Sequence, residues 1–206
     1  MEAGAIRAGA GHHEHEHHGP PPANRSSRVD PSLLGMGLFI ISEVMVFGAF
    51  FTAYFFIRVV QGAEWPAEGT ELPKMVAGIN TCILVSSSFT LHWAEHAHKM
   101  GNRRGLQAGI LTTFLLGATF LFIQINEYVH VGFSPQDSAQ GTIFYGLTGL
   151  HGAHVFIGLT LLLFVNIRAF RGHFTAEDHR GIEVPGIYWH FVDVMWLVVY
   201  LTVYII

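Results

Sequence analysis

The sequence predicts an all-α membrane protein, a bundle of five transmembrane helices, and three observations carry that reading. Half of the 206 residues are hydrophobic and only 13% are charged, about half the charged share of an ordinary soluble domain. The apolar residues gather into five runs, each with the roughly 20 residues needed to cross a hydrocarbon layer about 30 Å thick. The polar stretches between the runs are short, which excludes a large domain outside the membrane. Runs of this kind are helices, because lipid offers no partner to an unpaired backbone group.

Residues 1–31 contain no apolar core of the signal-peptide kind, so they read as a retained, disordered cytoplasmic tail ahead of an uncleaved first span. Within it, Gly11 to His18 holds five of the fourteen histidines. Such a run either chelates divalent metal or buffers protons at about pH 6.5, or is simply a solvated tail. Ser32 caps the first span, at about 33–60, and the polar stretch Gln61 to Pro73 follows it. The second span, about 75–98, is broken by Lys99 to Arg104; the third covers about 105–130 and is followed by the turn-rich stretch 132–140. The fourth runs over about 141–170 and ends in Arg171 to Arg180, and the fifth covers about 184–206. Cys82, the single cysteine, lies inside an apolar run, which excludes a disulfide framework and a thiolate metal site. There is no internal repeat and no second folded domain.

Basic residues set the orientation. Arg7, Arg25, Arg28, Lys99, Arg103, Arg104, Arg168, Arg171 and Arg180 fall on the side of the N-terminus, leaving only Arg58 and Lys74 opposite. The positive-inside rule then places the N-terminus in the cytoplasm and the C-terminus outside.

The ionisable residues inside the spans are the candidate functional groups, since an intramembrane charge is costly and marks function by default. Glu43 lies eleven residues past Ser32, roughly 16 Å deep at 1.5 Å per residue, near the midplane. His151 and His154 reach a similar level from the other side, His190 and Asp193 stand about 9–14 Å deep, and the four read as one buried polar network. Glu43 is either a proton-handling group or a protonated carboxyl bonded to a neighbouring helix. His190 and Asp193 share an arc of the fifth helix with Leu197, Tyr200 and Tyr204, a stripe that faces protein as interhelical glue or as a reactive site. His151 and His154, spaced i and i+3, are either satisfied core histidines or ligands of a haem or metal. Thr142, Gly146, Gly149 and Ala153 form a small-residue face for close helix approach. Thr113, Gly117, Gln124 and Glu127 share a stripe on the third span, with Glu127 at its outer boundary. Trp189 and Trp196 read as packing or belt residues, and Asn80 with Ser86 to Ser88 as helix contacts.

At these residues the sequence resembles subunit III of the haem–copper oxidases, in the cytochrome c oxidase branch, over about residues 32 to 206. The pieces that carry the likeness are Ile41-Ser-Glu43, Trp65-Pro66, Asn80-Thr81 with Ser86-Ser87, Trp93-Ala94 with His96, Gln124 with Glu127-Tyr128, Gly149-Leu-His-Gly-Ala-His-Val155, His173-Phe-Thr175, and Tyr188-Trp-His-Phe-Val-Asp-Val194 with Trp196. The family's long form has seven spans. This chain resembles its last five, a short form whose first two are absent or belong to a neighbouring polypeptide. The resemblance implies a V-shaped bundle with a phospholipid-holding cleft, docked beside subunit I and near subunit II in a bacterial plasma membrane. It implies that the haems and copper belong to partner subunits, that this chain binds no metal and holds no catalytic residue, and that it takes no nucleic-acid partner. Its implied task is to steady subunit I and sustain proton uptake in an aerobic, proton-pumping oxidase. Glu43 matches the family's intramembrane carboxylate, and Arg168, with Arg171 beside it, matches a position used toward a lipid headgroup. Glu43 and the Tyr188-Trp189 pair favour cytochrome c as donor to the complex over a quinol, the alternative. Two other classes remain: an independent proton-coupled transporter relaying through Glu43, His190 and Asp193, and a b-type cytochrome with His151 or His154 as axial ligand.

Overall fold

The computed structural model describes residues 31–60, 62, 65, 72–172 and 180–206. Among them five helices are long and apolar enough to cross a membrane, and there is no strand. Helix α1, Pro31–Phe55, runs on into a π-helical turn at Phe56–Val60; α2 is Lys74–Lys99, α3 Arg103–His130 and α4 Ala139–Phe170. Helix α5, Arg180–Tyr200, likewise ends in a π-helical turn, Leu201–Ile205. The histidine run at 11–18 and the His173-Phe-Thr175 motif lie outside the described residues.

The helix ends follow from local chemistry. Asn102 caps α3 by accepting the Gly105 N–H at 3.0 Å, and Ser138 caps α4 by accepting the Gly141 N–H at 3.0 Å, each satisfying a donor with no partner inside the helix. Between α2 and α3 the chain reverses within three residues, with Gly101 at a φ of +71°, a conformation that costs glycine little. The hairpin then closes tightly, because a Cβ at Gly109 would lie 2.6 Å from the Ala94 Cβ. Helix α5 starts at Arg180, ahead of the start near 184 that the sequence suggests, and contains Pro185. That proline lies in the second turn, where its missing N–H deprives a single carbonyl, that of Gly181, of a donor.

Helix α5 is the axis of the bundle and α1 its outermost member. In the most apolar stretch of α5, 56% of residues are buried, against 6% in α1. Trp189 explains much of this. Its indole is 1% exposed and sits in a slot formed by two glycines; a Cβ at Gly117 of α3 would meet it at 2.5 Å and one at Gly158 of α4 at 2.8 Å. Its Nε1–H donates to the Ser87 hydroxyl of α2 at 2.9 Å. One side chain thus joins four helices, in the small-residue manner that membrane interiors use where no water drives association. Trp196, fully buried, repeats the device one heptad on by donating to Thr81 at 2.9 Å.

Helix α1 is held chiefly at its far end. The Tyr54 hydroxyl donates to the Thr202 carbonyl at 2.7 Å and the Trp65 indole to the Val203 carbonyl at 2.8 Å. The Arg58 guanidinium donates to the Tyr54 hydroxyl at 2.5 Å and to the Ile206 carbonyl. Thr202 and Val203 lie in the last turn of α5, so side chains in and just after α1 cap that helix.

Candidate intramembrane proton site

Glu43 and His154 meet across α1 and α4. The His154 Nε2 stands 2.9 Å from the Glu43 Oε2, and its Nδ1 lies 2.8 Å from the Leu150 carbonyl one turn back on α4. A carbonyl only accepts, so Nδ1 carries a proton and donates it. Nε2 then has two ways to bond Glu43: as a lone pair accepting from a protonated carboxyl, or as an N–H donating to a carboxylate. Both contain the same proton and are neutral overall, which suits a site in low dielectric where a net charge is expensive. In either arrangement one proton lies between the two side chains.

The surroundings fix its geometry. Phe47, one turn beyond Glu43 and fully buried, places its ring 5.2 Å from that of His154. The Tyr188 hydroxyl donates to the His154 carbonyl at 3.2 Å, which brings α5 to the same level. The side chain of Glu43 keeps 18% of its surface exposed and that of His154 8%, so the carboxyl is reachable from the outer flank of α1.

The other polar residues singled out by the sequence form a separate group and an isolated ring. The Ser88 hydroxyl donates to the Asp193 Oδ2 at 2.6 Å and lies 3.3 Å from the His190 Nδ1. Fully buried His151 has neither ring nitrogen hydrogen-bonded. Its ring lies 4.7 Å from that of Trp196, and Phe120 is edge-on at 5.7 Å. Hydrogen bonds thus engage both nitrogens of His154, whereas His151 is held by ring packing alone. Among the described residues no three or more His, Cys, Asp or Glu side chains are grouped to hold a metal ion. Arg168 and Arg171 are exposed at the C-terminal end of α4, where positive charge also complements the helix dipole.

Two partnerships were hidden in the sequence. Ser88 joins His190 to Asp193 from another helix, and the serine run gave only the general signal of a helix contact. Glu127, read as a boundary residue, is 5% exposed and accepts the Tyr204 hydroxyl at 3.0 Å. Tyr204 lies on the polar stripe of α5, which was the available clue.

The family model of cytochrome c oxidase subunit III matches residues 25–206. Over 195 residues the chain is 40% identical to cytochrome c oxidase subunit 3 of Thermostichus vulcanus, covering 94% of this chain and 91% of that protein. It is 42% identical to the subunit of Papio hamadryas over 193 residues, 91% of this chain and 72% of that one. The identity to the Rattus norvegicus subunit is also 42%, over 82% of this chain and 67% of that protein.

Proposed function

The chain belongs to the cytochrome c oxidase subunit III family and is a multi-pass membrane subunit of an oxygen-reducing respiratory oxidase, and we propose that within the complex it sustains proton supply through the Glu43–His154 pair while carrying no redox centre itself. The haems and copper belong to its partners, chiefly subunit I, with subunit II alongside and cytochrome c as electron donor. The membrane is the bacterial plasma membrane, with the N-terminal side inward, as the distribution of arginine and lysine supports. Arg168 and Arg171 meet anionic headgroups there. Phospholipid covers the outer flank of α1, where Ile41, Val44 and Met45 are 60%, 48% and 71% exposed in the single chain.

The observation that carries this reading is the 2.9 Å bond between Glu43 and His154. It sits at mid-depth, is neutral in either proton arrangement and remains reachable from the flank of α1, so a proton can be held there without charging the membrane interior. The experiment is Glu43→Gln in the intact oxidase. The amide keeps the shape and can still bond His154, but it holds no transferable proton. Assembly and haem content are preserved, while proton uptake slows or the enzyme inactivates after fewer turnovers, most clearly at alkaline pH where protons are scarce. Wild-type uptake and lifetime at alkaline pH would remove the proton role and leave Glu43 as a helix contact.

A further inference from the structure

At the end of the bundle that carries Lys99, a cavity of about 350 Å³ opens between α2 and α5. Its walls are Glu95, His98 and Lys99 of α2, and Glu183 and His190 of α5 together with two isoleucines. Such a lining in an otherwise apolar bundle makes the cavity wet, and its size admits several waters. Glu183 and His190 are seven residues apart on one face of α5, which sets His190 about 10 Å further along the helix from that end. Beyond His190 comes Ser88, 3.3 Å from its Nδ1, and then Asp193, whose Oδ2 accepts the Ser88 hydroxyl at 2.6 Å. Asp193 is 7% exposed, and its second oxygen, Oδ1, is buried without a hydrogen-bond partner.

We propose that this cavity is a water-filled vestibule from which a proton is loaded reversibly onto Asp193 through His190 and Ser88, making Asp193 a proton store separate from the Glu43–His154 pair. The inference deepens the proton-supply reading and rests on it for its purpose. The order of the bonds defines the step. Ser88 already donates to Asp193, so it can only accept from His190, whose Nδ1 must carry the hydrogen. When cavity water protonates His190, its Nδ1 proton passes to the Ser88 oxygen as the Ser88 proton passes to the Asp193 Oδ2. His190 is left neutral with its proton on Nε2, the serine is again a hydroxyl, and Asp193 is a carboxylic acid. The charges of imidazolium and carboxylate disappear together, and the reverse step returns the proton to the cavity. A serine serving only as glue would need the aspartate alone; here a histidine at the cavity wall completes the line. Among the described residues, the titratable groups facing this path are Glu95, His98, Lys99 and, through Glu95 at 4.0 Å, His92 on α2, with Glu183 and His190 on α5. No residue of α1, α3 or α4 lines the cavity.

The test is a pH jump on the resting, purified oxidase followed by infrared difference spectroscopy of carboxylic acids. A protonated-carboxyl band that grows as pH falls and is absent in Asp193→Asn supports the store. Ser88→Ala should slow its appearance by about a hundredfold, the lower end of what a positioned proton carrier contributes, and Ser88→Thr, which restores the hydroxyl, should recover the rate. Absence of an Asp193-dependent band in the wild type, or loading in Ser88→Ala as fast as in the wild type, overturns the proposal. Should Ser88→Ala fail to assemble, His190→Gln against the wild type decides the same question. The measurement needs no turnover, so its failure leaves the effect of Glu43→Gln on lifetime untouched, and the failure of that effect leaves the Asp193 band standing.

Discussion

Two identical substitutions on α4, Gly158→Ala and Gly152→Ala, test whether the Trp189 slot holds the bundle together. Each exchanges a mid-helix glycine for alanine, which by itself favours the helix by about 1 kcal/mol. At Gly152 the new methyl finds its nearest neighbour, the Leu121 Cδ1, at 3.9 Å, an ordinary contact, so the gain should survive. At Gly158 it would lie 2.8 and 2.9 Å from two carbons of the Trp189 indole. The ring cannot retreat, because Gly117 leaves it no room on the α3 side. Overpacking of that kind costs about 1–3 kcal/mol, and a ring trapped on both sides belongs at the upper end. The net loss is then about 2 kcal/mol, a separation of about 3 kcal/mol between the two variants. At roughly 2–4 °C per kcal/mol for a chain of this size, Gly158→Ala should melt about 4–8 °C below the wild type and Gly152→Ala slightly above it. Thermal unfolding in mild detergent, followed by circular dichroism, reads the difference. Equal melting temperatures for the two variants would refute the claim that Trp189 is clamped between α3 and α4.

Other perturbations read different parts of the bundle. His151→Phe exchanges a ring without polar partners for an apolar one of similar shape, so stability should be unchanged or rise; a marked drop in melting temperature would mean that His151 has a polar partner after all. Tyr204→Phe removes the donor to buried Glu127 and should cost about 1–3 kcal/mol for the carboxyl left unpaired, measured by the same melt, whereas a neutral result would show that Glu127 does not depend on it. Tyr54→Phe removes the cap on the Thr202 carbonyl and a partner of Arg58. It should cost about 1 kcal/mol and speed hydrogen exchange in the last turn of α5, and unaltered exchange there would disprove the capping.

The fold was legible because lipid makes a simple demand: long apolar runs must be helices, and the breaks at Lys99 to Arg104 and at 132–140 are polar enough to see. The shared level of two polar residues was legible too. Counting residues from each boundary puts Glu43 and His154 at one level, and they meet there. Partnership was not. Which residues meet across two helices depends on their mutual rotation and crossing, and that is set by where side chains interlock, such as the Trp189 ring between Gly117 and Gly158. The sequence grouped His151 with His154, His190 and Asp193 because all are polar at similar depth. In the structure three residues of separation turns His151 toward Phe120 and Trp196 while His154 faces Glu43. The bonding at the end of α5 had no signal, since its partners Tyr54, Arg58 and Trp65 are distant in sequence.

The most direct test of the account is a double-mutant cycle on Glu43 and His154 in the intact oxidase, with Glu43→Gln, His154→Gln and the double variant compared for turnovers completed before inactivation at alkaline pH. If the two residues hold one proton between them, either single variant shortens the lifetime and the double variant is no worse than the more damaging single one. Effects that simply add, or a wild-type lifetime in both single variants, would mean that the pair handles no proton for the complex.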